Sequence, residues 1–308
     1  MPHARPQIVI VCGPTATGKT QLAVRLAARF GGEIVNADSM QVYRHMDIGT
    51  AKPDADERRA ARFHLVDVAD PDDTFSTGRF KDMAQAAVEE ILARGHVPIV
   101  AGGTGLYIKA LTQGLFDGPS ADPQLRAAYK VREAAEPGSL YRRLREVDPE
   151  RAAQVEPGDY VRIERSLEVF DLTGKPLSRW IAEHRFAEEP YETLKIGLHR
   201  ERDDLAAACD RRVLTMMDKG WLDEVRALRE RGYGPQLPSQ MAIGYKELHQ
   251  FLDKQFSLSE AVRRAQTSTR KFAKRQRTWF GADKGILWHD AAATGEQVLE
   301  RVARFLQI

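Results

Sequence analysis

The amino-acid sequence predicts an α/β fold, in which a mainly parallel sheet is flanked by helices and interrupted by a helical insertion. Short apolar, β-branched segments alternate with helical segments over about the first 115 residues, a pattern typical of a parallel sheet. From residue 122 to about residue 189, prolines punctuate helical stretches and no convincing strand is found. An apolar segment at residues 195–198 then returns to the sheet.

The composition is that of a globular protein that is large for a single core. The chain has 308 residues, 43% of them hydrophobic and 29% charged, which excludes disordered, collagen-like and low-complexity chains. This length predicts one large domain with an insertion, or two domains. The apolar run at residues 8–12 is too short for a membrane span or a signal-peptide core. Because two cysteines cannot build a disulfide scaffold or a four-cysteine zinc site, we expect a cytoplasmic protein without a metal cluster.

Each element is predicted from its hydrophobic pattern. The strands are short and rich in β-branched residues, whereas the first helix carries Leu22 and Leu26 four positions apart on one face. Strands are predicted over residues 7–12, 33–37, 63–68, 97–101 and 195–198, and helices over residues 21–27, 79–94, 201–231 and 258–280. The predicted domains are a core at residues 1–121 plus 193–308 and a helical insertion at residues 122–192.

A phosphate-binding loop is predicted directly after the first strand. Residues 13–20 match G-x-x-x-x-G-K-[ST] and lie between a strand and a helix, so the fold is predicted to be P-loop NTPase-like. Backbone N–H groups and the helix N-terminus would bind a diphosphate or triphosphate. Lys19 would add a positive charge, and the Thr20 hydroxyl can ligate Mg²⁺. The loop consists of Gly13, Pro14, Thr15, Ala16, Thr17, Gly18, Lys19 and Thr20.

This motif by itself leaves the reaction open. Its usual meaning is ATP binding followed by hydrolysis or kinase chemistry, which requires a second carboxylate for Mg²⁺. No strand of four hydrophobic residues followed by an aspartate stands out, and the nearest candidate is Asp67 after Leu65 and Val66. A small-molecule kinase therefore remains the alternative function.

Two polar residues follow strands at the predicted sheet edge that also carries the phosphate loop. Asp38 follows the second strand and Thr104 follows a later one. Asp38 can act as a general base or a metal ligand, or it can cap the segment that follows it. Thr104 can cap a helix that begins at Gly105.

A basic helical face is predicted near the end of the chain. Residues 261–282 include seven basic residues and no acidic one, although the net charge of the whole chain is only +2. At about 100° per residue, the basic residues form two adjacent stripes opposite an apolar side that includes Phe272 and Trp279. Such a face is either a docking site for a polyanion or a solvated surface. The stripes consist of Arg263, Arg270, Lys274 and Arg277, and of Arg264, Lys271 and Arg275.

Several longer motifs resemble the bacterial tRNA dimethylallyltransferase family, the isopentenyl-diphosphate:tRNA transferases. The motifs occur in family order between residues 13 and 280 and so cover almost the whole chain. Besides the phosphate loop, they lie at residues 38–43, 46–53, 102–107, 162–169, 243–247 and 274–280.

The resemblance implies that the phosphate loop binds dimethylallyl diphosphate rather than ATP. The five-carbon group would pass to N6 of adenosine 37, beside the tRNA anticodon, with Asp38, Thr104 and Lys19 as catalytic residues and Mg²⁺ as cofactor. A base is needed because the lone pair of an adenine amine is delocalised into the ring, and diphosphate leaves readily once its charge is neutralised. The expected protein is a cytoplasmic monomer that binds no membrane and whose partner is the anticodon stem-loop.

The resemblance also implies that the helical insertion binds the anticodon loop. Residues 121–200 carry 14 basic and 15 acidic residues, so affinity for RNA must come from local clusters such as Arg142, Arg143 and Arg145, or from the basic helix. The implied tRNA-binding residues are Asp38, Ser39, Met40, Gln41, Thr104, Arg126, Val161, Arg162, Ile163, Glu164, Arg165, Met241, Ala242, Ile243, Gly244, Tyr245, Lys246, Lys274, Arg275, Gln276, Arg277, Thr278, Trp279 and Phe280.

Overall fold

The first apolar segment forms β1 (Gln7–Cys12), and the side chains of residues 8–11 are fully buried. Burial on both faces is typical of the middle of a parallel sheet. In a computed structural model, which describes residues 5–292 and 295–308, β1 is a central strand of a six-stranded parallel sheet, and this confirms the predicted fold class. The other strands are β2 (Gly32–Asn36), β3 (Phe63–His64), β4 (Val97–Ala101), β5 (Glu192–His199) and β6 (Ile286–Asp290), and the order is β3-β2-β4-β1-β5-β6.

Helices cover both faces of this sheet. None of the helices in the described part of the chain is long and apolar enough to cross a membrane. The helices outside the insertion are α1 (Lys19–Phe30), α2 (Ala55–Ala60), α3 (Thr77–Ala93), α4 (Gly105–Gln113), α10 (Arg202–Asp218), α11 (Trp221–Glu230), α12 (Tyr245–Leu252), α13 (Leu258–Gly281) and α14 (Glu296–Leu306). Those of the insertion are α5 (Pro123–Ala135), α6 (Ser139–Val147), α7 (Pro149–Ala152), α8 (Tyr160–Thr173) and α9 (Leu177–His184).

Alternate residues of β1 serve two separate hydrophobic layers. Ile8 and Ile10 point to one face, where they join a cluster formed with α3 and α4. Val9 and Val11 point to the other face and join a cluster formed with α1 and α14. Since successive side chains of a strand alternate between faces, one continuous apolar strand anchors helices on both sides. The ends of β1 are thereby fixed relative to both layers.

A third hydrophobic cluster packs the segment after β2 against α10, α11, α12 and α13. At its centre the rings of Trp221 and Tyr245 are both almost fully buried and meet edge to face, with centroids 5.6 Å apart. The cluster includes Val42 and Met46. A Cβ atom at Gly49 would lie 1.9 Å from the Trp221 Nε1 atom, so the chain approaches this ring in a way that only glycine permits. The segment that follows Asp38 is therefore held by helices from the second half of the chain.

The insertion forms a compact unit of its own, from Gln113 to Glu188. Its helices enclose a separate hydrophobic cluster that includes Leu144, Ile163 and Leu167. The carboxylate of Glu168 is fully buried and accepts two hydrogen bonds from Arg126, at 2.7 and 2.8 Å, and one from Arg165 at 2.6 Å. Burial opposes ionisation of Glu168, but these hydrogen bonds outweigh it and lower its pKa to about 2.

The boundaries of this unit differ from the predicted range of 122–192. Residues before 122 belong to the unit because the Pro119 carbonyl accepts a hydrogen bond from Arg165, at 2.8 Å. Residues after 188 belong to the sheet because Glu189 pairs with Arg5 and Tyr191 is buried in one of its hydrophobic layers. Local sequence could not place these boundaries, since both depend on contacts between residues far apart in the chain.

Two predicted elements are shorter than expected, for conformational reasons. The strand predicted at 63–68 ends after His64, because Leu65 and Asp67 both have a left-handed backbone with φ of 60°. The helix predicted over 201–231 is divided by Gly220, which has φ of 92°. Four elements, α2, α12, β6 and α14, were not predicted from the sequence.

Replacement of Glu168 by alanine should lower the free energy of unfolding of the insertion by about 3 kcal/mol, because Arg126 and Arg165 lose their buried partner. The stabilisation by Glu168 should be complete above pH 4.5, its ordinary pKa, and should disappear as the pH falls through about 2. Urea unfolding of the full chain, followed by circular dichroism at several pH values, measures both effects.

The control is Glu136→Ala, because Glu136 pairs with Arg142 on the surface of the same unit. An exposed pair contributes about 0.5 kcal/mol or less, so this variant should unfold almost like the wild type. Equal destabilisation by the two substitutions would contradict the role given to Glu168.

Candidate active site

A cleft of about 1130 Å³ opens where β1, β2 and β4 end. The phosphate loop follows β1, the segment with Asp38 follows β2, and Gly102 follows β4. Residues from α1, α10 and α13 complete the walls. The structure thus brings the phosphate loop and Asp38 into one cleft, at the sheet edge where the sequence predicted them.

The phosphate loop has the close packing that its glycines allow. Gly13 has φ of 132°, and a Cβ atom there would lie 2.4 Å from the carbonyl oxygen of Leu198 in β5. Within the loop, the Thr17 hydroxyl donates a hydrogen bond to the Pro14 carbonyl at 2.8 Å. The loop therefore has a fixed shape between two central strands, and its backbone precedes the N-terminus of α1 directly.

The Lys19 ammonium group lies inside this loop. Its Nζ atom donates a hydrogen bond to the Pro14 carbonyl at 2.6 Å. Burial lowers the pKa of Lys19 to about 8, with a further lowering by the nearby Arg212 and an opposing effect of Asp38. A phosphate oxygen that replaced the Pro14 carbonyl would therefore give the Lys19 ammonium group a charged partner in place of a neutral one.

Asp38 both caps a turn and lines the cleft, so the two sequence interpretations are compatible. Its Oδ1 atom accepts a hydrogen bond from the Met40 backbone N–H at 2.9 Å. The backbone N–H group of Ser39, one residue before Met40, donates to the Thr104 hydroxyl at 3.0 Å. Thr104 also donates its own N–H to the Ala37 carbonyl at 3.1 Å. Thr104 thus fixes the backbone on either side of Asp38.

Arg212, which no sequence pattern indicated, lines the cleft from α10. Burial lowers the pKa of Arg212, while the nearby Asp38 acts in the opposite direction. A partly buried guanidinium beside Lys19 suits an anion with more than one negative charge. No motif marks this residue, because it lies in a helix with charged residues on several sides and only the packing of α10 brings it to the phosphate loop.

Polar side chains hold the segment after Asp38. The Gln41 amide donates to the carbonyl groups of Thr50 and Ala51 at 3.1 and 2.9 Å. Glu224 accepts hydrogen bonds from the backbone N–H groups of residues 47–49 and from the Tyr245 hydroxyl. Gln41 and Tyr245, which the family resemblance assigned to RNA binding, are both buried, and their side chains support this segment.

The carboxylate of Asp67, the nearest candidate for a second Mg²⁺ ligand of a kinase, is already occupied. It accepts hydrogen bonds from Lys52 at 2.5 Å and Arg58 at 3.0 Å. Burial opposes ionisation of Asp67, but the hydrogen bonds from these two cations outweigh it and lower its pKa. Asp67 therefore serves an ion-pair network.

The predicted basic face lies on α13, although parts of it are neutralised. Arg263 and Arg264 both pair with Glu260, and Arg270 pairs with Asp210. The last three turns of the helix present the remaining cations to solvent. The exposed basic residues of these turns are Lys271, Lys274, Arg275 and Arg277.

The inner side of α13 differs from the prediction at its end. Trp279 was placed on the apolar side of the helix but is 47% exposed, whereas Gln276 and Phe280 are buried. The indole lies across the start of α4, where a Cβ atom at Gly105 would be 2.0 Å from its Nε1 atom. Phe280 occupies a position in the hydrophobic core.

The other predicted RNA-binding residues also divide into exposed and buried groups. In the insertion, Val161 is 79% exposed and Arg162 is exposed, whereas Ile163 is fully buried. Near α12, Met241 and Lys246 are exposed, while Ala242 and Ile243 are half-buried and Gly244 is buried. The exposed or half-buried members of the predicted set are Asp38, Ser39, Met40, Thr104, Arg126, Val161, Arg162, Glu164, Arg165, Met241, Ala242, Ile243, Lys246, Lys274, Arg275, Arg277, Thr278 and Trp279.

Comparison with known proteins gives the family of this chain. The family model described as IPP transferase matches residues 41–283. The chain is 50% identical to tRNA dimethylallyltransferase 1 of Pelobacter propionicus over 306 residues, which cover 99% of each chain. It is 50% identical to the tRNA dimethylallyltransferase of Syntrophobacter fumaroxidans over 93% of this chain and 84% of the relative.

Solved structures that resemble this chain indicate the same family. The full-length tRNA isopentenylpyrophosphate transferase of Bacillus halodurans is 37% identical, with a TM-score of 0.73 over 98% of this chain and 96% of that one. A eukaryotic dimethylallyltransferase described as acting on tRNA is 30% identical, with a TM-score of 0.79 over 97% of this chain and 78% of that one. The chain therefore belongs to the IPP transferase family.

Proposed function

We propose that the protein transfers the dimethylallyl group of dimethylallyl diphosphate to N6 of adenosine 37 in tRNA and releases diphosphate. The observation that carries this proposal is that a phosphate loop and Asp38 line the same cleft. The phosphate loop can hold a leaving group, and Asp38 offers a base to the incoming amine. Family membership supports the two substrates, since relatives are named tRNA dimethylallyltransferases. With tRNA as substrate, we place the reaction in the cytoplasm.

Binding of the leaving diphosphate follows from the charges at the phosphate loop. Lys19 would exchange the Pro14 carbonyl for a phosphate oxygen, and Arg212 would approach from α10. The N–H groups at the start of α1 add partial positive charge. Because these groups are in place before the reaction, they stabilise the charge that develops on the diphosphate as its bond to carbon breaks.

Attack by the amine requires loss of a proton. The lone pair of adenine N6 is delocalised into the ring, so the amine becomes an effective nucleophile only if a base accepts its proton. As the C–N bond forms and the C–O bond to diphosphate breaks, Asp38 accepts this proton. Thr104 holds the backbone beside Asp38 and thereby orients the carboxylate.

Mg²⁺ fits the oxygen donors that this cleft offers. Thr20 and Asp38 both line it, so a hydroxyl and a carboxylate border the diphosphate position. Among the described residues, no group of three or more His, Cys, Asp or Glu is placed to hold a metal, so the ion would take most of its ligands from diphosphate and water. We therefore propose Thr20 as the protein ligand. When bound, the ion neutralises charge on the departing diphosphate.

The tRNA would be held on exposed parts of each unit. Adenosine 37 must leave its stack to reach Asp38, as bases do in enzymes that modify them. On the core unit, the basic end of α13 offers Lys274, Arg275 and Arg277 to phosphates. On the insertion, the start of α8 offers Val161 and Arg162, and this unit is proposed to bind the anticodon loop.

The proposed reaction can be tested directly with wild-type protein and one variant at Asp38. Wild-type protein with Mg²⁺, dimethylallyl diphosphate and tRNA should add one dimethylallyl group to adenosine 37, measured by mass spectrometry of nuclease digests. Asp38→Asn should lower the single-turnover rate by roughly 10²–10⁴-fold, the usual contribution of a general base. Asparagine can still accept the Met40 N–H bond, so the turn should persist.

The matched control is Asp54→Asn, because Asp54 lines the same cleft and caps α2. This variant should react at nearly the wild-type rate. An unmodified adenosine 37 with wild-type protein would refute the proposed function, and γ-phosphate transfer from ATP to a small molecule would favour the kinase. A folded Asp38→Asn protein with normal chemistry would assign the base to another residue.

The pKa of Lys19 predicts how diphosphate binding depends on pH. Lys19 is charged below its lowered pKa of about 8, and only the charged form attracts the anion. The quantity to compare is the ratio of two association constants for inorganic diphosphate, that of wild type divided by that of Lys19→Ala. This ratio should be largest below pH 8 and should fall by up to about tenfold per pH unit above it. Titration calorimetry from pH 6.5 to 9.5 measures this ratio. A ratio that stays constant over this range would show that Lys19 does not titrate there.

The exposed end of α13 predicts the salt dependence of tRNA binding. Replacement of Lys274, Arg275 and Arg277 by alanine should reduce the slope of log K against log salt by about two to three, since each lost phosphate contact lowers it by about 0.7–0.9. Diphosphate affinity in the absence of RNA should stay near the wild-type value. Filter binding of tRNA at several salt concentrations gives the slope.

The control for this variant is Arg270→Ala on the same helix. Arg270 pairs with Asp210, whose carboxylate offsets its charge, so it should contribute little to RNA binding. A wild-type slope in the triple variant would identify the end of α13 as a solvated surface.

A further inference from the structure

The side chain of Gln276 connects two loops of the active site. It is 5% exposed and lies on the inner side of α13. Its Oε1 atom accepts a hydrogen bond from the Thr15 backbone N–H at 2.8 Å, and its Nε2 atom donates one to the Gly103 carbonyl at 2.9 Å. One amide group thus joins the phosphate loop after β1 to the loop after β4.

The neighbouring residues are adapted to this contact. A Cβ atom at Gly103 would lie 2.2 Å from the Gln276 Nε2 atom, so glycine is needed for the close approach. Glutamine supplies both a donor and an acceptor at the required length. Glutamate has no donor when ionised, and asparagine is one carbon shorter.

The loop that accepts from Gln276 continues directly to the residue that holds the Asp38 segment. Thr104 follows Gly103, and its hydroxyl accepts the Ser39 N–H bond at 3.0 Å. On the other side, Thr15 follows Pro14, whose carbonyl holds the Lys19 ammonium. Gln276 therefore contacts the backbone next to both halves of the reaction centre, the diphosphate site and the base.

The residues beside Gln276 in the helix point in other directions. Lys274, Arg275 and Arg277 are exposed and belong to the surface that the proposed function assigns to RNA phosphates. The last turns of α13 thus carry RNA-facing cations on one side and the link to the active-site loops on the other. Any displacement of this end of the helix moves Gln276 with it.

We propose that Gln276 is a positioning residue that couples tRNA binding to diphosphate binding. RNA phosphates on the exposed side of α13 fix the end of this helix. Through Gln276 they favour the arrangement of the phosphate loop in which Lys19 leaves the Pro14 carbonyl for the diphosphate. This role differs from the direct RNA contact that the family resemblance implied for residue 276, and it rests on the proposed function.

Coupling of this kind is reciprocal, which makes it measurable without catalysis. If RNA tightens diphosphate binding by some factor, diphosphate tightens RNA binding by the same factor. An anticodon stem-loop with guanosine at position 37 lacks the N6 amine, so it can bind without reacting. Inorganic diphosphate with Mg²⁺ serves as the probe for the phosphate loop.

The experiment is titration calorimetry of the full chain with diphosphate, in the presence and absence of this stem-loop. In the wild type the stem-loop should raise diphosphate affinity at least about fivefold, the lower end of typical coupling factors. In Gln276→Met, which removes both hydrogen bonds, the factor should fall below about twofold, while the affinity for the stem-loop alone stays within about threefold. Gln276→Glu should also lose coupling, because it cannot donate to the Gly103 carbonyl.

The matched control is Gln266→Met, because Gln266 lies on the same helix and its amide donates to the Asp210 carbonyl, at 3.4 Å, in α10. This variant should keep the wild-type coupling factor, and thermal unfolding should confirm that all variants are folded. Wild-type coupling in Gln276→Met and Gln276→Glu, or equal loss in Gln266→Met, overturns the proposal. Absence of coupling in a wild-type protein that still modifies adenosine 37 also overturns it and leaves the proposed function intact.

Discussion

The register of three parallel strands is the constraint on which the active site depends. Val11 in β1 and Asn36 in β2 are both paired with Ala101 in β4, so the three strands end at the same level. The loops that follow them must then meet at one edge of the sheet. They approach so closely that a Cβ atom at Gly102 would lie 2.2 Å from the Ala37 carbonyl oxygen. The phosphate loop, Asp38 and Thr104 are neighbours for this reason.

The electrostatics of the cleft suit an anionic ligand. Burial lowers the pKa of both Lys19 and Arg212, and Asp38 only partly offsets this effect. Desolvation of these cations is unfavourable, and in the proposed reaction a diphosphate in place of the Pro14 carbonyl would relieve this cost. The same charge would favour both binding of the substrate and departure of the leaving group.

Three polar hubs, each a side chain that bonds several groups, explain why the RNA-binding residues implied by the family differ so much in exposure. Glu168 holds Arg126 and Arg165 in the insertion, Glu224 holds the segment after Asp38, and Gln276 holds two active-site loops. Each hub fixes a short segment whose neighbouring residues reach solvent. A motif that spans a hub therefore contains both surface residues and residues that only support them, and local sequence does not separate the two.

The sequence by itself determined the features that depend on local chemistry. The glycine spacing and Lys19 specified a phosphate loop, and the alternation of apolar segments specified a parallel sheet, because backbone conformation and hydrophobic periodicity are encoded over a few residues. The longer motifs specified the family. Only the tertiary structure decided that Arg212 reaches the phosphate loop, that Phe280 and not Trp279 enters the core, and that Gln276 joins two loops. These outcomes depend on how α10 and α13 pack against a sheet edge far away in the chain, and a contact between distant segments leaves no periodic signal in either one.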